Sequence, residues 1–187
     1  MTIYLASKSP RRRELFNLIT KDYIAVDPVV DESGFELFTA EIQTLKIAEL
    51  KCKSVFNLHP DSVVVGCDTV VSMGDEVFGK PKDREDAFAM LSKFKNRTHT
   101  VYTGICIMSP EKKRSFCSST RVIFSDIDDE TLAEYIDSDE PYDKAGGYGI
   151  SGTASKFVSM IIGDYYTVMG LPVSRLYNEL RDLNVVL

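Results

Sequence analysis

Three groups of side chains in this sequence could do chemistry together. Asp68 lies inside SVVVGCDTVV, a run so apolar that a carboxylate there is costly unless something cationic compensates it. An aspartate at the C-terminal edge of a buried strand is a recurring place for a metal ligand or a base. A carboxylate bonded to a neighbouring helix N-terminus is the structural alternative. Thr69 follows directly, with a hydroxyl able to donate to a base or a phosphate, or simply to pack. The second group is Arg11, Arg12 and Arg13 in SPRRRELF, crowded onto a helix start where acidic residues are normally preferred. They either splay into water or meet an anion, since free N–H groups and guanidinium forks suit a phosphate. The third is the VDES pair Asp31 and Glu32, solvated if alone. Beside Asp68 they gain weight, because magnesium is commonly held by one or two carboxylates plus substrate phosphates.

Lys51, Lys80 and Lys82 supply further cations. Lys80 is held in FGKPKD between Gly79 and Pro81, whose ring restricts the backbone, and a fixed lysine is a better phosphate ligand than a free one. DKAGGYGISG offers glycines for close approach of a ligand to the backbone, although tight turns explain most such loops. It is neither GxGxxG nor a P-loop. His59 and His99 are the only histidines, so triad or histidine acid–base chemistry is not expected. Cys52, Cys67, Cys106 and Cys117 form no CxxC pair, which argues against zinc or thioredoxin chemistry and fits a reducing cytoplasm.

The elements that must position these groups follow from hydrophobic periodicity. TIYLAS reads as a buried strand leading into the arginine helix, with Ser9 as N-cap and Pro10 in its first turn. DYIAVDP is a second strand, and Thr39 to about Asn57 a helix. SVVVGCDTVV is the strongest strand, fit to be buried on both faces. REDAFAMLSKFK and DDETLAEYIDS are helices, and THTVYTGICIM and SFCSSTRVIFSDI two antiparallel strands. KFVSMIIGDY is a strand and LPVSRLYNELRDL a closing helix, with Pro172 in its first turn. This alternation predicts an α/β fold, a mixed twisted sheet flanked by helices. The 187 residues suit one compact domain or two closely packed lobes. No secretory signal or membrane span is expected. With 22 Lys plus Arg against 28 Asp plus Glu, the acidic balance argues against nucleic acid and for a small polyanion.

LASKSPRRRELF, VDES, GCDTVV, FGKPKDREDAFAML, HTVYTG, DEPYDKAGGYGISG and GDYYTVMGLPV together, in this order over nearly the whole chain, resemble the Maf family of nucleoside triphosphate pyrophosphatases, also called septum-formation inhibitors. The resemblance implies a single domain over 1–187 with the fold of inosine triphosphate pyrophosphatases and a cleft between two lobes. It also implies cleavage between the α and β phosphates, with a divalent metal, Mg²⁺ or Mn²⁺, as cofactor. By motif, Asp68 is the expected proton acceptor, and Glu32, Lys51 and Lys80 fall where the family has charged active-site groups; Glu32 with Asp68 are the metal ligands expected from their chemistry. Arg11, Thr69 and Ser151 are the substrate-selecting positions; Ser9, Arg12, Lys51 and Lys80 complete the expected substrate contacts. FGKPKD and HTVYTG are closer to the dTTP/UTP branch. That branch carries glutamine where this chain has Ser151, and serine reaches less far toward a base edge. A cytoplasmic enzyme acting on dTTP or UTP is expected, and by analogy a homodimer. The alternative is a nucleotide-binding regulator of division without required turnover.

Overall fold

A computed structural model describes residues 1–185. The chain divides into two compact units, one of Met1–Thr69, Thr103–Ser118 and the stretch from Gly170 on, the other of Val70–Tyr102 and Ser119–Met169. In the first unit, β1 (Ile3–Ala6) lies parallel to both β2 (Ile24–Val26) and β3 (Val63–Met73), with Leu5 opposite Ala25 and Val65. The run Val63–Val65 is completely buried, as its β-branched composition predicts. Between β1 and β2 comes α1 (Pro10–Phe16), and after β2 comes α2 (Ala40–Phe56), capped by Thr39, whose hydroxyl accepts the Ile42 N–H at 3.5 Å.

Two glycines bring α2 down onto the strands. A Cβ at Gly66 would stand 2.4 Å from the Ala48 carbonyl oxygen, and one at Gly104 would stand 2.6 Å from the Thr44 backbone. Ala48, Cys52 and Val55 of the helix then pack with Ala6, Val64, Cys106 and Met108. Gly104, Cys106 and Met108 belong to β5 (Thr98–Met108), which a tight turn at Ser109–Lys112 joins to its sheet neighbour β6 (Lys113–Phe124). The last helix of this unit is α6 (Val173–Asp182).

In the second unit, β4 (Glu76–Phe78) runs antiparallel to the far half of β3, and β7 (Val158–Ile162) antiparallel to β6. Helices α3 (Arg84–Phe94) and α4 (Asp129–Ile136) are capped by Asp83 and Asp128, and the short α5 (Tyr165–Met169) follows β7. Phe78, Leu91, Phe94, Phe124, Leu132, Tyr148 and Phe157 lead its core. His99 is buried there, stacked on Phe94 and 2.7 Å from the Tyr148 hydroxyl.

Among the described residues the strand order is β2-β1-β3-β5-β6-β7, with β4 paired to β3 beside that path, a mixed α/β sheet as expected. Differences are local. The arginine helix stops at Phe16, and Leu18 beyond it is exposed. Pro172 occupies the N-cap of α6 rather than its first turn. β4 and α5 escape the periodicity reading because three and five residues are too short to display a period.

Candidate active site

Asp68 is almost fully buried, and the cation that offsets it comes from α2. Lys51 Nζ donates to Asp68 Oδ1 at 2.8 Å, and the same ammonium lies 3.0 Å from Glu32 Oε1. The close approach of Ala48 to Gly66 sets this up, because one helical turn on from Ala48 brings Lys51 over position 68. Lys51 and Asp68 side chains each retain 11% exposure, whereas Glu32 retains 45% and forms the solvent side of the group. Of the two structural readings of a buried aspartate, this chain uses the cation.

Arg12 braces the strand around that carboxylate. Its Nη1 donates to the Cys67 carbonyl at 3.1 Å and its Nη2 to Thr69 Oγ1 at 2.8 Å, so it grips the residues on either side of Asp68. Its Nε donates to the Gly170 carbonyl at 2.9 Å. Gly170 has φ +99°, and a Cβ there would stand 3.2 Å from Thr69 Oγ1 and 3.3 Å from Arg12 Nε. Thr69 Oγ1 lies 3.0 Å from Thr103 Oγ1. Cys67, buried against this brace, has its thiol pushed up by burial, which suits a packing role.

The other arginines divide. Arg13 bonds the Ser7 carbonyl and, at 2.5 Å, Asp27. Arg11 is half-buried in the first turn of α1. Ser9 holds the N-cap position, but its side chain makes no capping bond; its N–H donates to Ser7 Oγ at 3.2 Å. Crowding of arginine at this helix start therefore has a partial explanation inside the protein, since Arg12 and Arg13 both anchor on backbone carbonyls. Thr103, Gly170 and the Cys67 carbonyl take part without having been singled out by sequence. Their only signal is the glycine before LPV, and it gains meaning only once Arg12 is seen against it.

Lys80 and Ser151 belong to the second unit. Lys80 is exposed, and its backbone is fixed on both sides: the Gly79 carbonyl accepts the Gly146 N–H at 2.9 Å, and Pro81 is buried. Lys82 is exposed and its N–H donates to Asp86. Gly146 and Gly147 take positive φ and pack against Val71 and Pro81, so this part of the glycine-rich stretch serves packing. Ser151 is exposed on the turn that follows, where the Gly152 N–H closes onto the Gly149 carbonyl at 3.0 Å.

For a divalent metal the donor chemistry is Glu32 and Asp68. Among the described residues no group of three or more His, Cys, Asp or Glu lies together to hold an ion. Two carboxylates are nevertheless the number that Mg²⁺ takes when phosphates and water complete its shell. In this structure the Lys51 ammonium is bonded to both carboxylates. The residues fit such an ion as a partner of substrate, not as a closed protein cage.

The family model described as Maf-like protein matches residues 2–183. The chain belongs to the Maf family. Relatives include a protein named dTTP/UTP pyrophosphatase from Carboxydothermus hydrogenoformans, 45% identical over 184 residues, covering 97% of this chain and 98% of that one. Another of the same name, from Aquifex aeolicus, is 40% identical over 189 residues, covering 100% and 97%. Among solved structures, the Ham1 protein of Staphylococcus aureus superposes with TM-score 0.58 at 16% identity, covering 98% of this chain and all of that one. That likeness shows the fold. As a Maf-family chain it carries SPRR, GCDT and GYGI inside the matched span, and with them every residue of the candidate site. No helix of the described residues is long and apolar enough to cross a membrane.

Proposed function

We propose that this chain hydrolyses a nucleoside triphosphate, dTTP or UTP first, between the α and β phosphates to give the monophosphate and pyrophosphate. The observation that carries the reading is the buried Asp68–Lys51 pair with Glu32 on its solvent side, in a chain 45% identical to a protein named dTTP/UTP pyrophosphatase. Asp68 accepts a proton from water as the water oxygen bonds to the α-phosphorus. The bond from that phosphorus to the α–β bridging oxygen breaks, and its electron pair leaves with pyrophosphate. Lys51 orients the Asp68 carboxylate, and Arg12 holds the backbone on both sides of it. Arg11, Lys51 and Lys80 offset charge on the phosphate oxygens, while Ser9, Thr69 and Ser151 offer hydroxyls to the nucleotide. Glu32 and Asp68 would hold Mg²⁺ or Mn²⁺, and the ion would supply further neutralisation of phosphate charge. Positioning and charge stabilisation of this kind supply most phosphoryl-transfer catalysis.

Four cysteines without a disulfide suit the reducing cytoplasm, where such nucleotides are made. The test is a panel of nucleoside triphosphates with Mg²⁺, read by phosphorus NMR. Monophosphate plus pyrophosphate supports the reading. Diphosphate plus orthophosphate would mean that another bond is cut, and binding without turnover would make the protein a nucleotide sensor.

A further inference from the structure

Glu140 stands against the turn that carries Ser151. Its Oε2 accepts the Thr153 N–H at 3.0 Å, and its Oε1 accepts the Tyr135 hydroxyl at 3.4 Å. Tyr135 is buried, and the Gly149 N–H is turned to the same hydroxyl. Lys144 Nζ donates at 2.5 Å to the Glu140 carbonyl, which ties the backbone of the glutamate to the chain leading into the turn.

The two glycines around Ser151 are the complement of this carboxylate. A Cβ at Gly152 would stand 2.2 Å from Glu140 Oε1, and one at Gly149 would stand 3.2 Å from the same oxygen and 2.8 Å from Lys144 Cε. Residues 149 and 152 thus lack side chains where Glu140 and Lys144 press on them. Ile150 is buried between, and Ser151 is left exposed. A serine has one short hydroxyl and little reach, so its hydrogen bond depends on where the turn places its backbone. A displacement of about 1 Å is enough to lose such a contact.

We propose that Glu140 is a positioning residue for nucleotide selection: by fixing the Gly149–Thr153 turn it sets where Ser151 meets the nucleoside. The inference rests on the proposed function, in which Ser151 contacts substrate, and adds a residue that touches no substrate itself.

The test compares Glu140→Ala, Gly152→Ala and Glu140→Gln with the unaltered protein, using pyrophosphate release from dTTP, UTP and GTP. Loss of one well-placed hydrogen bond corresponds to about tenfold in affinity. Glu140→Ala is expected to raise KM for dTTP about tenfold, to narrow the dTTP-over-GTP ratio of kcat/KM, and to leave kcat within about threefold. Gly152→Ala, which forces the carboxylate aside, should do the same if Glu140→Ala fails to fold. Glu140→Gln keeps one carbonyl acceptor for the Thr153 N–H and should restore most of KM. Amide exchange at Thr153 should quicken in the two alanine variants. Unchanged KM and unchanged ratio, or Thr153 exchange as slow as in the unaltered protein, would overturn the proposal. If the unaltered protein releases no pyrophosphate from any triphosphate, the activity itself fails, and dTTP binding then reads the positioning role. A Kd about tenfold weaker in Glu140→Ala supports it, and an unchanged Kd overturns it.

Discussion

Lys51 and Asp68 form a buried ion pair, 2.8 Å between Nζ and Oδ1, whose members lie 17 residues apart on a helix and the strand beneath it. Removing one partner leaves the other charge desolvated and unpaired, which costs about 3–5 kcal/mol at a buried site. Lys51→Met is therefore expected to lower stability by about 3 kcal/mol, measured by urea denaturation. Adding Asp68→Asn should recover part of that loss, with a coupling of more than about 1 kcal/mol in the double-mutant cycle. Strict additivity would mean that the pair does not interact energetically.

Arg12 and Arg13 are neighbours in sequence with opposite predicted sensitivities. Lysine at position 12 has one ammonium and cannot reach the Gly170 carbonyl, the Cys67 carbonyl and Thr69 Oγ1 in one plane as the guanidinium does. Arg12→Lys should cost about 1–2 kcal/mol in the same unfolding assay and at least about tenfold in kcat. Arg13→Lys alters a largely exposed pair with Asp27 and should stay within about 1 kcal/mol. Equal effects at the two positions would contradict the bracing role.

His99 gives a pH dependence with a defined sign. Burial brings it down from 6.5 to about 4 in the folded protein. The folded state thus favours the neutral ring, and its contribution is complete above about pH 6.5 and lost as pH falls toward about 4. The loss reaches at most about 3 kcal/mol. Urea midpoints measured between these limits should decline for the unaltered protein and flatten in His99→Gln. Parallel curves would show that other groups govern acid unfolding.

How much of this was legible beforehand depended on whether the cause was local. SVVVGCDTVV announced both its strand and the need for a cation near Asp68, because a carboxylate among valines has few alternatives. Which cation, however, depended on α2 lying against Gly66 and Gly104, a contact between distant segments that spacing does not encode. The arginine cluster was visible as an anomaly, but Arg12 and Arg13 are largely explained by carbonyls that no pattern locates. Glu140 escaped notice because a loop glutamate looks solvated until its oxygens are found against Gly152 and the Thr153 N–H.

Ser151 is exposed on its turn, so replacement there should leave the fold unchanged. A carboxamide can donate and accept at a pyrimidine edge at once, whereas serine reaches less far. Ser151→Gln should raise the preference for dTTP and UTP over GTP by about tenfold, measured as ratios of kcat/KM. An unchanged ratio would remove position 151 from base selection.

Asp68→Asn tests the centre of the mechanism most directly. With folding verified by circular dichroism, dTTP turnover in the presence of Mg²⁺ should fall by about two orders of magnitude or more, the usual scale for losing a general base. Turnover within about threefold of the unaltered protein would contradict the assignment of Asp68 as the proton acceptor.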